Sequence, residues 1–205
     1  MWEDPRLLIV KASSDVERCE TTLVESLAGM WRMPYQVFEL TELQDLVGLS
    51  DLTGPWSVVY VCGHGDGEVI GDADGPREFR WADISAALCE ILAEDAWVFL
   101  ACCRGGLDRV AFQLFAQCGN LRYVFGPSWE ATPKQLAAAF HVLIHNCVDE
   151  CREPTRAAQR ASEAIDLTIR SFDREDVTWS ESYYRWHLRH YGADPEAVPP
   201  PLPTD

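Results

Sequence analysis

The chain has 205 residues, 47% hydrophobic and 24% charged, the balance of a globular protein able to bury its own core. Its 33 acidic residues outweigh 17 basic ones, and the net charge of -16 repels nucleic-acid phosphates and anionic lipid, which argues against both as partners. No apolar run approaches the roughly 18 residues of a membrane span, and the acidic start Trp2-Glu3-Asp4 lacks the basic region of a secretion signal, so a cytoplasmic location is expected.

Short runs rich in Val, Ile, Leu and aromatic residues predict five strands, at 6–12, 35–40, 56–62, 96–103 and 122–125. Amphipathic stretches between them predict helices at 15–29, 41–49, 82–93 and 107–118. Strand and helix in alternation imply a mostly parallel sheet covered on both faces, and the nearly unbroken apolar character of Ser57-Val-Val-Tyr-Val-Cys62 and Trp97-Val-Phe-Leu-Ala-Cys102 fits strands buried on both sides. Beyond Pro127 the pattern becomes helical, over 132–150, 154–172 and 180–191, with Pro133 and Pro154 suited to first-turn positions. These helices are expected to pack on the sheet, giving one α/β domain over 1–192, while the proline-rich tail 193–205 is expected to be disordered. Asp74-Gly75 predicts a hairpin turn rather than part of a calcium loop.

Several of the eight cysteines sit in apolar runs, and with no secretion signal they read as reduced thiols. His141, His145, Cys147 and Cys151 share one predicted helix, but at about 100° per residue the histidine pair and the cysteine pair point in different directions. No metal is expected there. The aromatic residues Trp179, Tyr183, Tyr184, Trp186 and Tyr191 crowd the last predicted helix, where packing is the simplest use for them.

Functional residues in such sheets gather at the carboxyl ends of the strands. The third strand runs into Cys62-Gly63-His64-Gly65-Asp66-Gly67, and the fourth into Ala101-Cys102-Cys103-Arg104-Gly105-Gly106. If the two strands are neighbours, about 4.8 Å apart, His64 and Cys103 share one crevice. An imidazole beside a thiol can take its proton and later protonate a leaving amine. The backbone N–H groups of Cys103 and Gly65 would then meet a tetrahedral oxyanion.

These two segments resemble the strand-to-cysteine and histidine-glycine segments of the caspase-like cysteine peptidases. Within that clan they are similar to the CHAT domain, the bacterial branch whose cysteine follows an apolar strand ending in Ser-Ala-Cys. Ala101-Cys102-Cys103 takes that place, so the resemblance assigns the nucleophile to Cys103 and the general base to His64. Gly126-Pro-Ser-Trp129 and the helices after it are similar to the turn and helices that follow the last strand in such domains. The resemblance implies a three-layer caspase-like sandwich with strands in a flavodoxin-like order. It also implies cleavage of a protein substrate without a cofactor, activation by a protein partner, and a role in bacterial defence or programmed death. The residue two before the nucleophile commonly lines the substrate pocket in this clan, and here it is Ala101, which implies a small or apolar side chain. Asp15 could reach the same pocket and select Lys or Arg, although Ser14-Asp15-Val16-Glu17 reads first as a capping box. Trp129 is a candidate pocket wall.

Two rivals remain. Cys103, Gly106 and Arg109 stand as Cys-x-x-Gly-x-x-Arg between strand and helix, the pattern of a phosphatase loop, although Asp108 and the net charge oppose a dianion there. A catalytically idle scaffold on the same fold is the other.

Overall fold

The computed structural model describes residues 4–16, 18–148, 150 and 153–177. The predicted helix at 180–191 with its aromatic cluster, the tail 193–205, Cys151 and Glu17 lie outside these residues.

The chain alternates strand and helix from its start: β1 (Leu7–Lys11), α1 (Arg18–Met30), β2 (Tyr35–Glu39), α2 (Asp45–Ser50), β3 (Trp56–Cys62). A short hairpin system follows, β4 (His64–Gly65), β5 (Val69–Gly71) and β6 (Glu78–Arg80), leading into α3 (Trp81–Cys89). Then come β7 (Leu92–Ala101), α4 (Asp108–Gln117), β8 (Leu121–Pro127), α5 (Pro133–Val148), α6 (Pro154–Ile165), β9 (Ile169–Asp173) and α7 (Arg174–Val177). The main sheet runs β2-β1-β3-β7-β8-β9, parallel except for β9. The five predicted strands thus stand in the expected flavodoxin-like order.

Side chains alternate across this sheet because successive Cβ atoms point to opposite faces. Val59, Val61, Val98 and Leu100 project into one core, shared with α2, α3 and α4. Val58, Tyr60, Phe99 and Ala101 project into the other, shared with α1, α5 and α6. The result is the expected three-layer sandwich, and it explains why β3 is buried at every position. In the second core Tyr60 stacks on Phe99 at 5.6 Å between centroids, and Phe140 of α5 closes edge-on against both. Truncating one of these rings to Ala would cost about 3–5 kcal/mol.

Several local expectations need correction. The helix predicted over 154–172 stops at Ile165, because Asp166 turns left-handed at φ 53° and the chain becomes β9. Ile169 and Phe172 are buried there. The Ser162 hydroxyl secures the reversal, donating to Ala158 O and accepting the Ile169 N–H. At the other end of the chain α1 begins at Arg18, so Ser14 caps no helix. Its N–H and hydroxyl both donate to Asp72, at 2.8 and 3.1 Å. A capping box does form at α5, where Gln135 N–H donates to the Thr132 hydroxyl and Thr132 N–H donates to the Gln135 side chain. Pro133 and Pro154 open their helices as expected. The small sheet β4-β5-β6 was legible only through its Asp74-Gly75 turn, because strands of two or three residues carry no periodicity. Among the described residues, no helix is long and apolar enough to cross a membrane.

Candidate active site

The strands that carry the two candidate residues are neighbours. Cys62 of β3 is registered with Ala101 of β7, and Gly63 N–H donates to Ala101 O at 3.4 Å, so both chains leave the sheet side by side. The next residues diverge. His64 enters β4 and is exposed, while Cys102 and Cys103 enter a turn.

The two adjacent cysteines meet different surroundings because the strand alternation continues past β7. Cys102 is 1% exposed in the core under α3 and α4, and burial, with Cys103 beside it, pushes its thiol well above the usual range. Such a thiol stays protonated and unavailable. Cys103 is half-buried on the opposite face, its Sγ 3.8 Å from the Ala131 carbonyl at the entrance to α5. Arg104 follows in the left-handed region at φ 58°.

Gly65 is pressed against this turn. A Cβ on Gly65 would lie 2.9 Å from Cys102 Sγ and 3.0 Å from the Cys103 carbonyl oxygen, so only glycine brings the β4 backbone so close. The Asp66 N–H donates to Val69 O, which marks those residues as a hydrogen-bonded pair of the β4–β5 hairpin. Alternation then makes Gly65 and Ile70 a non-hydrogen-bonded pair, with the Gly65 N–H directed away from β5. The Cys103 N–H donates to no acceptor among the described residues. Among the described residues the Cys103 N–H therefore has no acceptor, and the Gly65 N–H points away from its strand partner.

The remaining N–H groups of the cysteine turn are taken. Those of Arg104, Gly105 and Gly106 donate to Trp129 O, Cys102 O and Pro127 O at 3.2, 3.2 and 2.8 Å. A phosphate cradle needs these donors free and an arginine over the thiol. Arg109 instead points to the β4–β5 turn, bonding Asp66 O at 3.0 Å and Glu68 at 2.8 Å, and Asp108 is paired with Arg170. The Cys-x-x-Gly-x-x-Arg spacing is thus satisfied in sequence without forming the corresponding loop.

The histidine hairpin is held at both ends. At its tip, Gly67 takes φ 93°, a conformation open to glycine, and a side chain there would also collide with Leu107 and Arg109. At its far end, Asp72, with its side chain 5% exposed, accepts both Ser14 bonds and faces Arg77 at 3.7 Å. Burial works to raise the Asp72 pKa, but the bonds from Ser14 and Ser13 and the charge of Arg77 outweigh it and leave it below the usual carboxylate value. Asp15 accepts the Ala73 N–H at 3.3 Å. It therefore joins the clamp on this hairpin, whose Ala73 lines a crevice of about 490 Å³ together with His64, Asp66, Asp72, Arg77 and Glu78 among others, while Asp15 itself is not part of the lining.

The other candidate pocket residues divide. Trp129 is 66% exposed and walls a second crevice of about 430 Å³ with Arg104, Leu107, Arg109 and Ser128. Ala101 is 2% exposed and packs inside the core shared with α1, α5 and α6, so it faces neither crevice. Its place in the strand alternation explains this, since the chain opens to solvent only two residues later. His141 stacks on Trp31 at 5.2 Å, and Cys147 is buried, in keeping with helix-packing roles.

No protein-family model matches the chain, and no curated protein matches it by sequence. Solved structures do match. One is a secreted C11 cysteine protease from Bacteroides thetaiotaomicron in complex with an irreversible peptide inhibitor, at TM-score 0.59 and 12% identity over 85% of this chain and 67% of that one. A second structure of a secreted C11 protease from that organism, called iotapain, matches at TM-score 0.61 and 10% identity over 85% and 68%. The fold is therefore caspase-like α/β, as in the C11 proteases.

Proposed function

We propose that the protein is a cysteine endopeptidase in which Cys103 is the nucleophile and His64 the general base. The observation that carries this reading is the approach of the Gly65 backbone to the Cys102-Cys103 turn, which joins the ends of β3 and β7 into one site. His64 takes the proton of the Cys103 thiol, and the thiolate sulfur bonds to the substrate carbonyl carbon. The N–H groups of Cys103 and Gly65 receive the oxyanion. Its collapse breaks the C–N bond as His64 returns the proton to the leaving amine. Water, deprotonated by His64, then cleaves the thioester and frees the thiol. No cofactor enters this sequence.

The CHAT-type resemblance carries the reading further, to a bacterial cytoplasmic enzyme that a protein partner switches on for defence or programmed death. That a C11 protease was captured with a peptide inhibitor supports a peptide substrate for this fold. The test is cleavage of a mixed fluorogenic peptide library in reducing buffer, with and without host lysate, by the wild type, Cys103→Ala and His64→Ala. Cleavage lost in both variants supports the dyad, and lysate dependence supports the activating partner. Silence throughout favours the idle scaffold.

A further inference from the structure

The crevice walled by Trp129 has a composition that its neighbours do not explain. Arg104 lines it, directly after the proposed nucleophile, and among the described residues no carboxylate pairs with its guanidinium. The second arginine there, Arg109, is by contrast paired with Glu68. Arg104 is also held left-handed at φ 58°, a conformation glycine adopts at no steric cost. Its N–H is bonded to Trp129 O, and both residues, Trp129 with its indole exposed, line the same crevice. Strain kept at a residue beside reacting groups points to a use for its side chain.

We infer that Arg104 and Trp129 form a subsite that receives an acidic substrate side chain next to the cut bond. This rests on the peptidase reading and adds a preference to it. Leu107 and the Trp129 ring cover the methylenes of the incoming residue, and the Arg104 guanidinium takes its carboxylate in a charge-assisted hydrogen bond. The opposite crevice, beside His64, presents Asp66, Asp72 and Glu78, and the arginine that lines it, Arg77, is already paired with Asp72 and Glu39.

The test selects peptides rather than relying on turnover. A random octapeptide pool is captured on immobilised full-length Cys103→Ala protein and sequenced, beside the same protein carrying Arg104→Gly, Arg104→Glu or Trp129→Ala in addition. Capture of acidic residues runs against the protein's overall charge, so enrichment of Glu or Asp at one position, about tenfold over Gln or Asn, is the expected result. Arg104→Gly suits the left-handed backbone, should fold with an equal or higher Tm, and should erase the enrichment. Arg104→Glu should turn the preference toward Lys and Arg. No acidic enrichment, or one that survives Arg104→Gly, overturns the subsite. Cleavage by the Cys103-bearing protein, measured in parallel, tests the peptidase reading separately: its absence leaves the binding result standing, and its presence without enrichment sinks the subsite alone.

Discussion

The two turns that build the candidate site are held by different forces. The cysteine turn is fixed by backbone: three consecutive N–H groups are bonded to carbonyls, and Gly106 and Gly126 touch so closely that a Cβ on either would collide with main chain. The histidine hairpin is fixed by side chains and charge, through Asp72 to Ser14 and Arg77, and through Arg109 to Glu68. A nucleophile on a rigid turn and a base on a hairpin with removable ties means that the two halves should fail differently. Damage to the first should be near complete, and damage to the second should be graded and dependent on pH.

The largest expected effect is at the thiol itself. Cys103→Ala should lower kcat/KM by about a thousandfold or more, while Cys102→Ala, which removes a buried sulfur that stays protonated, should keep most of the activity and cost about 1 kcal/mol in denaturant unfolding. Reversal of these two outcomes would shift the nucleophile by one position. Next comes the contact between the halves. Gly65→Ala places a methyl against Cys102 Sγ and the Cys103 carbonyl, and should reduce kcat about a hundredfold with a smaller change in KM, because misplacement by an ångström has that effect.

The hairpin ties should yield less. Asp72→Ala frees the loop after β1 from the hairpin, and an activity loss of about tenfold is expected, measured with a thermal scan to separate it from unfolding. The pH dependence follows from the same carboxyl. Its folded value lies below the unfolded one of about 4, so the tie is complete above that pH and is lost as pH falls through the lowered value. Wild-type Tm should therefore drop more steeply below pH 4 than that of Asp72→Asn. Identical acid limbs would remove Asp72 from the account. The smallest effect is at Arg109→Ala, whose exposed pair with Glu68 is worth under about 1 kcal/mol. Peptide cleavage should change by less than about threefold, whereas an aryl phosphatase activity abolished by this variant would revive the rejected loop.

What could be read in advance divides along the same line as the forces. Long apolar strands announce themselves, because Ser57 to Cys62 has no other use for six consecutive buried residues, and the turn after each strand carries its chemistry in adjacent letters. The side-chain ties of the hairpin were hidden. Ser14 and Asp72 are 58 positions apart, and a serine four residues before a helix looks like a cap until its real partner is in view. Arg109 likewise completed a phosphatase spacing on paper, yet nothing in the sequence indicated that Glu68 would claim it.

Periodicity thus determined the α/β class and the choice of candidates at the strand ends, because these depend on local pattern and on the rule that parallel strands expose their carboxyl ends together, whereas the adjacency of the His64 and Cys103 turns was a condition that the β3–β7 pairing met. The tertiary structure decided what each candidate faces. It buried Ala101 and Cys102, turned Cys103 toward Ala131, tied Asp15 to Ala73, and left Arg104 open beside Trp129. The reason is physical: burial and charge pairing are set by residues far away in the chain, and only the packed fold brings them within reach.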